Sequence, residues 1–301
     1  MNGANPAAEA RKDPPRRRRL LPWRRRRDAP LVSVLRLAGI IGRVGPVRGG
    51  SVTLANMERA IDRAFAPKRL AAVALSVNSP GGSPVQSALI AKRIRDRAEE
   101  RGVPVLAFAE DVAASGGYWL ACAGDEIFAD ESSIVGSIGV IAAGFGFVDL
   151  IARHGIERRV HTAGARKGML DPFRPENPEE VERLRAVQRD MHETFVSHVR
   201  ERRGRRLRGD DDMLFSGEFW SGRRAIELGL VDGLGELRGV LRDRFGERVR
   251  IRPVAVRRGL RRRLGLGVFD GSPAFGVDAG AVGAEILAAL DEWAMWKRYG
   301  L

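Results

Sequence analysis

Three short loops carry the residue types that covalent chemistry needs. The first is Asn78-Ser79-Pro80-Gly81-Gly82-Ser83, between an apolar run and an amphipathic segment. Two glycines let backbone N–H groups come close to a ligand, and a helix starting there adds its positive end. Such a loop can hold an anion or a carbonyl oxygen gaining negative charge. The same residues also make an ordinary strand-to-helix turn. The second loop is Ala113-Ala114-Ser115-Gly116-Gly117-Tyr118-Trp119. Small neighbours leave room for a substrate carbonyl at Ser115, and the Gly116 N–H is available as an oxyanion donor. A lone Ser at a helix start reads equally as an N-cap. The third is Gly164-Ala165-Arg166-Lys167-Gly168-Met169-Leu170-Asp171-Pro172-Phe173, in which Lys167 lies among small and apolar residues after an expected strand. A free lysine titrates near about 10.4 and is no base at neutral pH. Enclosure and nearby cations can bring a lysine to about 7–8, at roughly 4 kcal/mol, so a lysine base needs an enclosed site. The plain alternative is a surface lysine on a loop.

Other constellations have less behind them. The GxSxG elbow is absent around both Ser115 and Ser137. His161, at the end of an expected strand, is the histidine best placed for a Ser-His-Asp triad, and spacing alone leaves that arrangement open. His154, His192 and His198 fall on expected helices. Cys122 lies on the same helix face as Ser115 and reads as a small buried hydrophobe. One cysteine in 301 residues rules out a disulfide framework and a cysteine-based zinc site, and no HExxH spacing occurs, so no metal is expected.

These loops must be positioned by the elements around them. Leu31–Leu37, Ala71–Val77 and Val103–Ala109 are apolar runs of strand length. Thr53–Ala66, Pro84–Glu100 and Ser115–Ala123 read as helices between and after them, with Leu89, Ile90 and Ile94 of the second turned inward. Further short strands are expected at Glu126–Ala129, Ser137–Ile141 and Arg159–Thr162, with a helix over Phe145–His154. Glu179–Arg203 is the longest expected helix, with Val181, Leu184, Val187, Met191 and Phe195 as a buried stripe. A helix at Arg238–Phe245 and a strand at Val249–Val254 close the pattern. Apolar strands alternating with helices predict an α/β fold with a largely buried sheet. One domain over residues 29–254 is expected, followed at 255–301 by a basic linker and an amphipathic helix over Ala281–Lys297.

Charge and hydropathy narrow the function classes. The net charge is +14, and half of it sits in residues 1–28, where ten Lys/Arg face three acids around Arg16-Arg17-Arg18-Arg19 and Arg24-Arg25-Arg26-Arg27. The high basicity is therefore partly that of a tail, expected to be disordered, and no nucleic-acid motif accompanies it. No apolar run of the roughly 18–20 residues needed to span a bilayer is present, and Leu20-Leu21 between two Arg runs is too short for a signal-peptide core.

Five segments in order give a more specific reading: Val77-Asn78-Ser79-Pro80-Gly81-Gly82, Ala113-Ala114-Ser115-Gly116-Gly117-Tyr118, Val135-Gly136-Ser137-Ile138-Gly139-Val140, Lys167 before Met169-Leu170-Asp171-Pro172-Phe173-Arg174, and Gly222-Arg223-Arg224-Ala225 with Gly229-Leu230-Val231-Asp232. Together, over about residues 31–240, they resemble the signal peptide peptidase A (protease IV) family of serine peptidases. The resemblance implies a ClpP/crotonase-like fold of repeated strand-strand-helix units and hydrolysis of peptide bonds without a cofactor. It implies Ser115 as nucleophile, Lys167 as general base, Ser137 as the serine that hydrogen-bonds the lysine, and Gly82 and Gly116 as oxyanion donors. It further implies a bacterial homo-oligomeric ring whose sites are shared between subunits, acting on signal-peptide remnants or other membrane-associated peptides. Family members often carry an N-terminal membrane anchor; here an Arg-rich segment stands in that place, which reads equally as a patch for anionic lipid headgroups and as a disordered tail without a partner, and the expected location is the cytoplasm or the cytoplasmic face of the inner membrane. The rival expectations are a crotonase-like acyl-CoA enzyme, which needs no Lys167, and a non-enzymatic basic scaffold at a membrane surface.

Overall fold

Aliphatic runs too short for helices, separated by Pro-, Gly- and Asn-containing turns, form the central sheet. In the computed structural model, which describes residues 29–42, 52–256, 290 and 293–301, the chain runs β1 (Leu31–Ala38), α1 (Leu54–Phe65), β2 (Leu70–Ser79), α2 (Pro84–Arg101), β3 (Val105–Ala114) and α3 (Gly116–Ala121). It continues through β4 (Glu126–Ala129), β5 (Ile134–Gly136), α4 (Val148–Arg153), α5 (Pro178–Arg203), α6 (Asp211–Leu214) and β6 (Phe219–Ser221). α7 (Gly222–Glu227), β7 (Gly233–Leu234), α8 (Leu237–Phe245) and β8 (Arg250–Pro253) complete it. The sheet order is β6-β5-β3-β2-β1-β8, with β4 also on β3 and β7 on β4. Every pairing is parallel except β5 with β6. The α/β class is therefore borne out, and parallel strands explain why the sequence shows continuous apolar runs rather than alternation.

The main core lies between one sheet face and α1, α2 and α3, where Leu35, Leu37, Ile61, Leu75, Ile90 and Leu120 are fully buried. On the other face Leu241 of α8 packs against Val32, Ala72, Ala74 and Leu106. Helix ends obey the capping rules: Thr53 and Ser83 accept from Asn56 N and Gln86 N, and Gly102 closes α2 with φ of 58°.

β3 divides the sheet. Leu106–Ala109 pair with β4, whereas Val112–Ala114 pair with β5. Between them Asn78 stabilises the divergence, its Nδ2 donating to Asp111 at 2.7 Å and its Oδ1 accepting from Val112 N at 3.3 Å. β5 thus lies beside the last residues of β3 alone, where it borders the turn that leaves Ala114.

Several expected elements differ. The strand expected at Ser137–Ile141 ends at Gly136, because Ser137 takes φ of 53° and Gly139 N turns back to its carbonyl at 3.0 Å. The strand expected at Arg159–Thr162 does not form; that segment is irregular and exposed. The helix expected over Phe145–His154 shortens to α4. Leu89 is 41% exposed rather than inward. The stripe of the long helix is buried only at its C-terminal end, at Phe195 and Val199; Val187 and Met191 are 51% and 41% exposed. The tail of residues 1–28, the basic cluster and linker after residue 256, and most of the helix expected over Ala281–Lys297 lie outside the described residues.

Candidate active site

Ser115 comes directly after the last residue of β3, and its N–H donates to the Gly136 carbonyl of β5 at 2.8 Å. Its backbone is at φ 53° and ψ −123°, a region that residues with a side chain rarely enter. It makes no side-chain cap bond to α3, so the N-cap reading of this serine is set aside. The helix starts directly after it at Gly116, and no acceptor within the described residues takes the Gly116 N–H.

The Pro80-Gly81-Gly82 turn lies against this serine. A Cβ on Gly81 would fall 2.7 Å from Ser115 Cβ and 3.0 Å from its Oγ, so only glycine permits the approach. A Cβ on Gly82 would fall 2.0 Å from the Ile41 carbonyl oxygen. The bridge to Ile41 uses the Gly81 carbonyl and the Ser83 N–H, at 2.8 Å each. In such a ladder the intervening N–H, that of Gly82, points away from Ile41, and it has no acceptor among the described residues. Each glycine-rich loop thus has one backbone N–H without an acceptor among the described residues. Gly81 N, by contrast, is satisfied by Ser79 Oγ at 3.2 Å.

Ser137 is buried beside Ser115, and the two side chains line one pocket of about 490 Å³. Its N–H donates to the Glu218 carbonyl at 2.6 Å, and its Oγ accepts from the Tyr299 hydroxyl at 3.3 Å. Among non-glycine residues of the described chain only Ser115, Ser137 and Leu170 have positive φ. Two are expected site serines and the third lies three residues beyond Lys167.

Lys167 is placed elsewhere. It is exposed, on a turn closed by its own N–H to Gly164 O at 3.2 Å, and it is absent from the lining of the Ser115 pocket. Its loop is held by the Leu170-Asp171-Pro172-Phe173 segment: Asp171 pairs with Arg158 at 3.0 Å, Phe147 N donates to Pro172 O at 2.7 Å, and Phe173 packs on Phe147 with ring centroids 5.4 Å apart. The single chain therefore brings together Ser115, Ser137, Gly82 and Gly116 but not Lys167.

The remaining motif has a supporting role. Tyr118 of α3 donates to Leu230 O at 2.8 Å, and Arg203, its side chain 1% exposed, pairs with Asp232 at 2.6 Å. Asp232 also accepts from Ile127 N at 2.7 Å. The Gly229–Asp232 segment thereby ties α3, α5 and β4 together behind Ser115. Trp119 stacks on Phe195 and His198 of α5, with centroids at 4.9 and 4.5 Å.

The other nucleophile and base candidates differ in burial and pairing. Burial pushes the Cys122 thiol up to about 12, which leaves it protonated at neutral pH. Native protein should accordingly resist iodoacetamide at about pH 8 and react fully once unfolded; mass spectrometry of the labelled chain reads this directly. His161 is exposed on an irregular segment, and burial pushes the His198 imidazole down. His192 lines the Ser115 pocket, but its Nε2 lies 3.1 Å from the Ile138 carbonyl, which can only accept, so that nitrogen carries the proton. Among the described residues no group of His, Cys, Asp or Glu has a metal-binding arrangement.

A serine on a strained strand-to-helix turn of an α/β fold, beside two backbone N–H groups without an acceptor among the described residues, has the parts that nucleophilic acyl transfer uses. Peptidase family S49 matches residues 97–244. A putative signal peptide peptidase SppA of Enterococcus faecium is 33% identical over 168 residues, covering 56% of this chain and 48% of that protein. Protease 4 of Haemophilus influenzae is 32% identical over 213 residues, covering 68% of this chain and 32% of that protein. A Brucella abortus protein named Na(+)/H(+) antiporter NhaA is 49% identical over 286 residues, covering 94% of this chain but 39% of that protein. Its name describes a much longer chain, and no helix among the described residues here is long and apolar enough to cross a membrane. The chain spans about two fifths of that relative and about half of the Enterococcus one. It belongs to the signal peptide peptidase A family of serine peptidases, Peptidase family S49.

Proposed function

We propose that this chain is a serine endopeptidase whose nucleophile is Ser115 and whose general base is Lys167 of a neighbouring copy. The observation that carries the reading is the Ser115 backbone, held at φ 53° beside two glycine-rich loops whose Gly82 and Gly116 N–H groups have no acceptor among the described residues. In the first step a neutral Lys167 Nζ takes the proton of Ser115 Oγ, which attacks the peptide carbonyl carbon. The carbonyl oxygen gains the negative charge and is received by the two N–H groups. Lys167 then passes its proton to the leaving amine, giving an acyl-enzyme that water hydrolyses by the same route. Ser137 Oγ orients the lysine amine. No step calls for a metal or organic cofactor.

The exposure of Lys167 supports a shared site. So does the apolar surface left uncovered around it: Ile141, Phe145, Leu150 and Ile156 are 52–67% exposed, and Val187 and Met191 of α5 face solvent too. A head-to-tail ring would cover both faces and carry Lys167 to the next Ser115. The substrates in this reading are signal-peptide remnants or other membrane-associated peptides. The ten basic residues of the first 28 would hold the ring at the cytoplasmic face of a bacterial inner membrane, at about 1 kcal/mol each near anionic lipid.

A fluorophosphonate probe tests the nucleophile. We expect one label per chain, on Ser115, and none on Ser115→Ala. An acyl-CoA enzyme of similar fold or a basic scaffold has no activated serine, so an unlabelled wild type would refute the peptidase reading.

A further inference from the structure

The pocket beside Ser115 has one charged wall. Arg185, Gln188, Arg189 and His192 recur at the spacing of a single helical face and bring that face of α5 to the pocket. Arg298 lines it as well. Its place is fixed through the next residue, Tyr299, whose hydroxyl reaches Ser137 and whose ring meets Phe219 edge-on at 5.1 Å. None of the described residues lining the pocket is Asp or Glu. Among the described residues the acid that contacts these arginines is Glu182, 2.8 Å from Arg189 and 3.9 Å from Arg185, with every side chain in those pairs at least 59% exposed. Three guanidinium groups against one carboxylate leave a net positive pocket. Such exposed pairs are weak enough to be exchanged for a ligand's carboxylate. Arginine is also the side chain whose planar fork matches a carboxylate.

We infer that this pocket selects peptides carrying a carboxylate close to the scissile bond, whether an Asp or Glu side chain or the free C-terminus of a short peptide. The inference rests on Ser115 being the nucleophile of a peptidase and adds the substrate class. A carboxylate bound between α5 and Arg298 would lie in the same pocket as Ser115 Oγ. It would therefore hold the neighbouring peptide bond close to Ser115.

The experiment compares end-blocked peptides that differ only by Glu, Gln or Lys at each position flanking the cleaved bond. A second arm compares neutral peptides with free and amidated C-termini. Wild type should cleave one carboxylate-bearing series with kcat/KM about tenfold above its matched neutral series, as charge-assisted hydrogen bonds allow. The arm that shows the preference identifies the source of the carboxylate. In Arg189→Gln/Arg298→Gln that ratio should fall to near one, and Arg189→Glu should shift preference toward the Lys series. Fluorophosphonate labelling of Ser115 in each variant reports that the site is still assembled. Equal cleavage of all series by a wild type that labels would overturn the inference and leave the peptidase reading standing. A wild type that neither labels nor cleaves would overturn both. Variants that change the oligomeric state while keeping the preference would assign the arginines to a subunit contact and overturn the inference.

Discussion

Refolded together, Ser115→Ala and Lys167→Ala are expected to recover peptidase activity that neither has alone. Ser115 lines a pocket from which Lys167 of the same chain is absent, and Lys167 sits exposed on its own turn. If each site joins the serine of one copy to the lysine of the next, an equal random mixture places an intact serine beside an intact lysine in roughly a quarter of interfaces. Activity near that fraction of wild type is the expected reading, with mixing verified by two affinity tags. Confirmed mixed oligomers with no activity would restrict the dyad to one chain.

Lys167→Arg should be as inactive as Lys167→Ala. Arginine keeps the charge and much of the length of lysine but stays protonated above about pH 12, so it cannot receive the Ser115 proton. General-base catalysis of this kind is worth about 10²–10⁴-fold, and a loss of that size in kcat/KM is expected for both variants. A pH series that leaves Lys167→Arg near wild type would remove Lys167 from the mechanism.

Much of the fold is legible in the sequence because the strands are buried on both faces. Ala71–Val77 and Val103–Ala109 stand out as apolar runs, and the helices between them carry their own caps. The division of β3 is not legible, since both partners of a forked strand look alike in sequence. Ile138, Val140 and Ile141 have the composition of a strand, yet positive φ at Ser137 turns them out of the sheet. The long helix shows the boundary most clearly. Its apolar spacing is regular throughout, but among the described residues only the half that meets Trp119 is buried.

The candidate site divides along similar lines. The two serines and the two glycine-rich loops are visible because glycine and small residues recur where the backbone must come close. Gly81, whose missing Cβ lets the turn approach Ser115, stands in the same motif, but nothing local tells its part from that of Gly82. The positive face of Arg185, Gln188, Arg189 and His192 is written in helical spacing. The arrival of Arg298 at the same pocket depends on long-range packing that no local pattern records.

The backbone of Ser115 also has a thermodynamic consequence. A side-chain-bearing residue held in a region suited to glycine costs on the order of 1–3 kcal/mol, against a net stability of about 5–15 kcal/mol for a typical domain. The strand pairing at Gly136 and the packing of α3 behind the serine must therefore outweigh a standing local strain. Glycine would relieve that strain and erase the nucleophile in one change. A serine kept at position 115 is the less stable choice, and its presence marks a point where selection for stability alone would have favoured another residue.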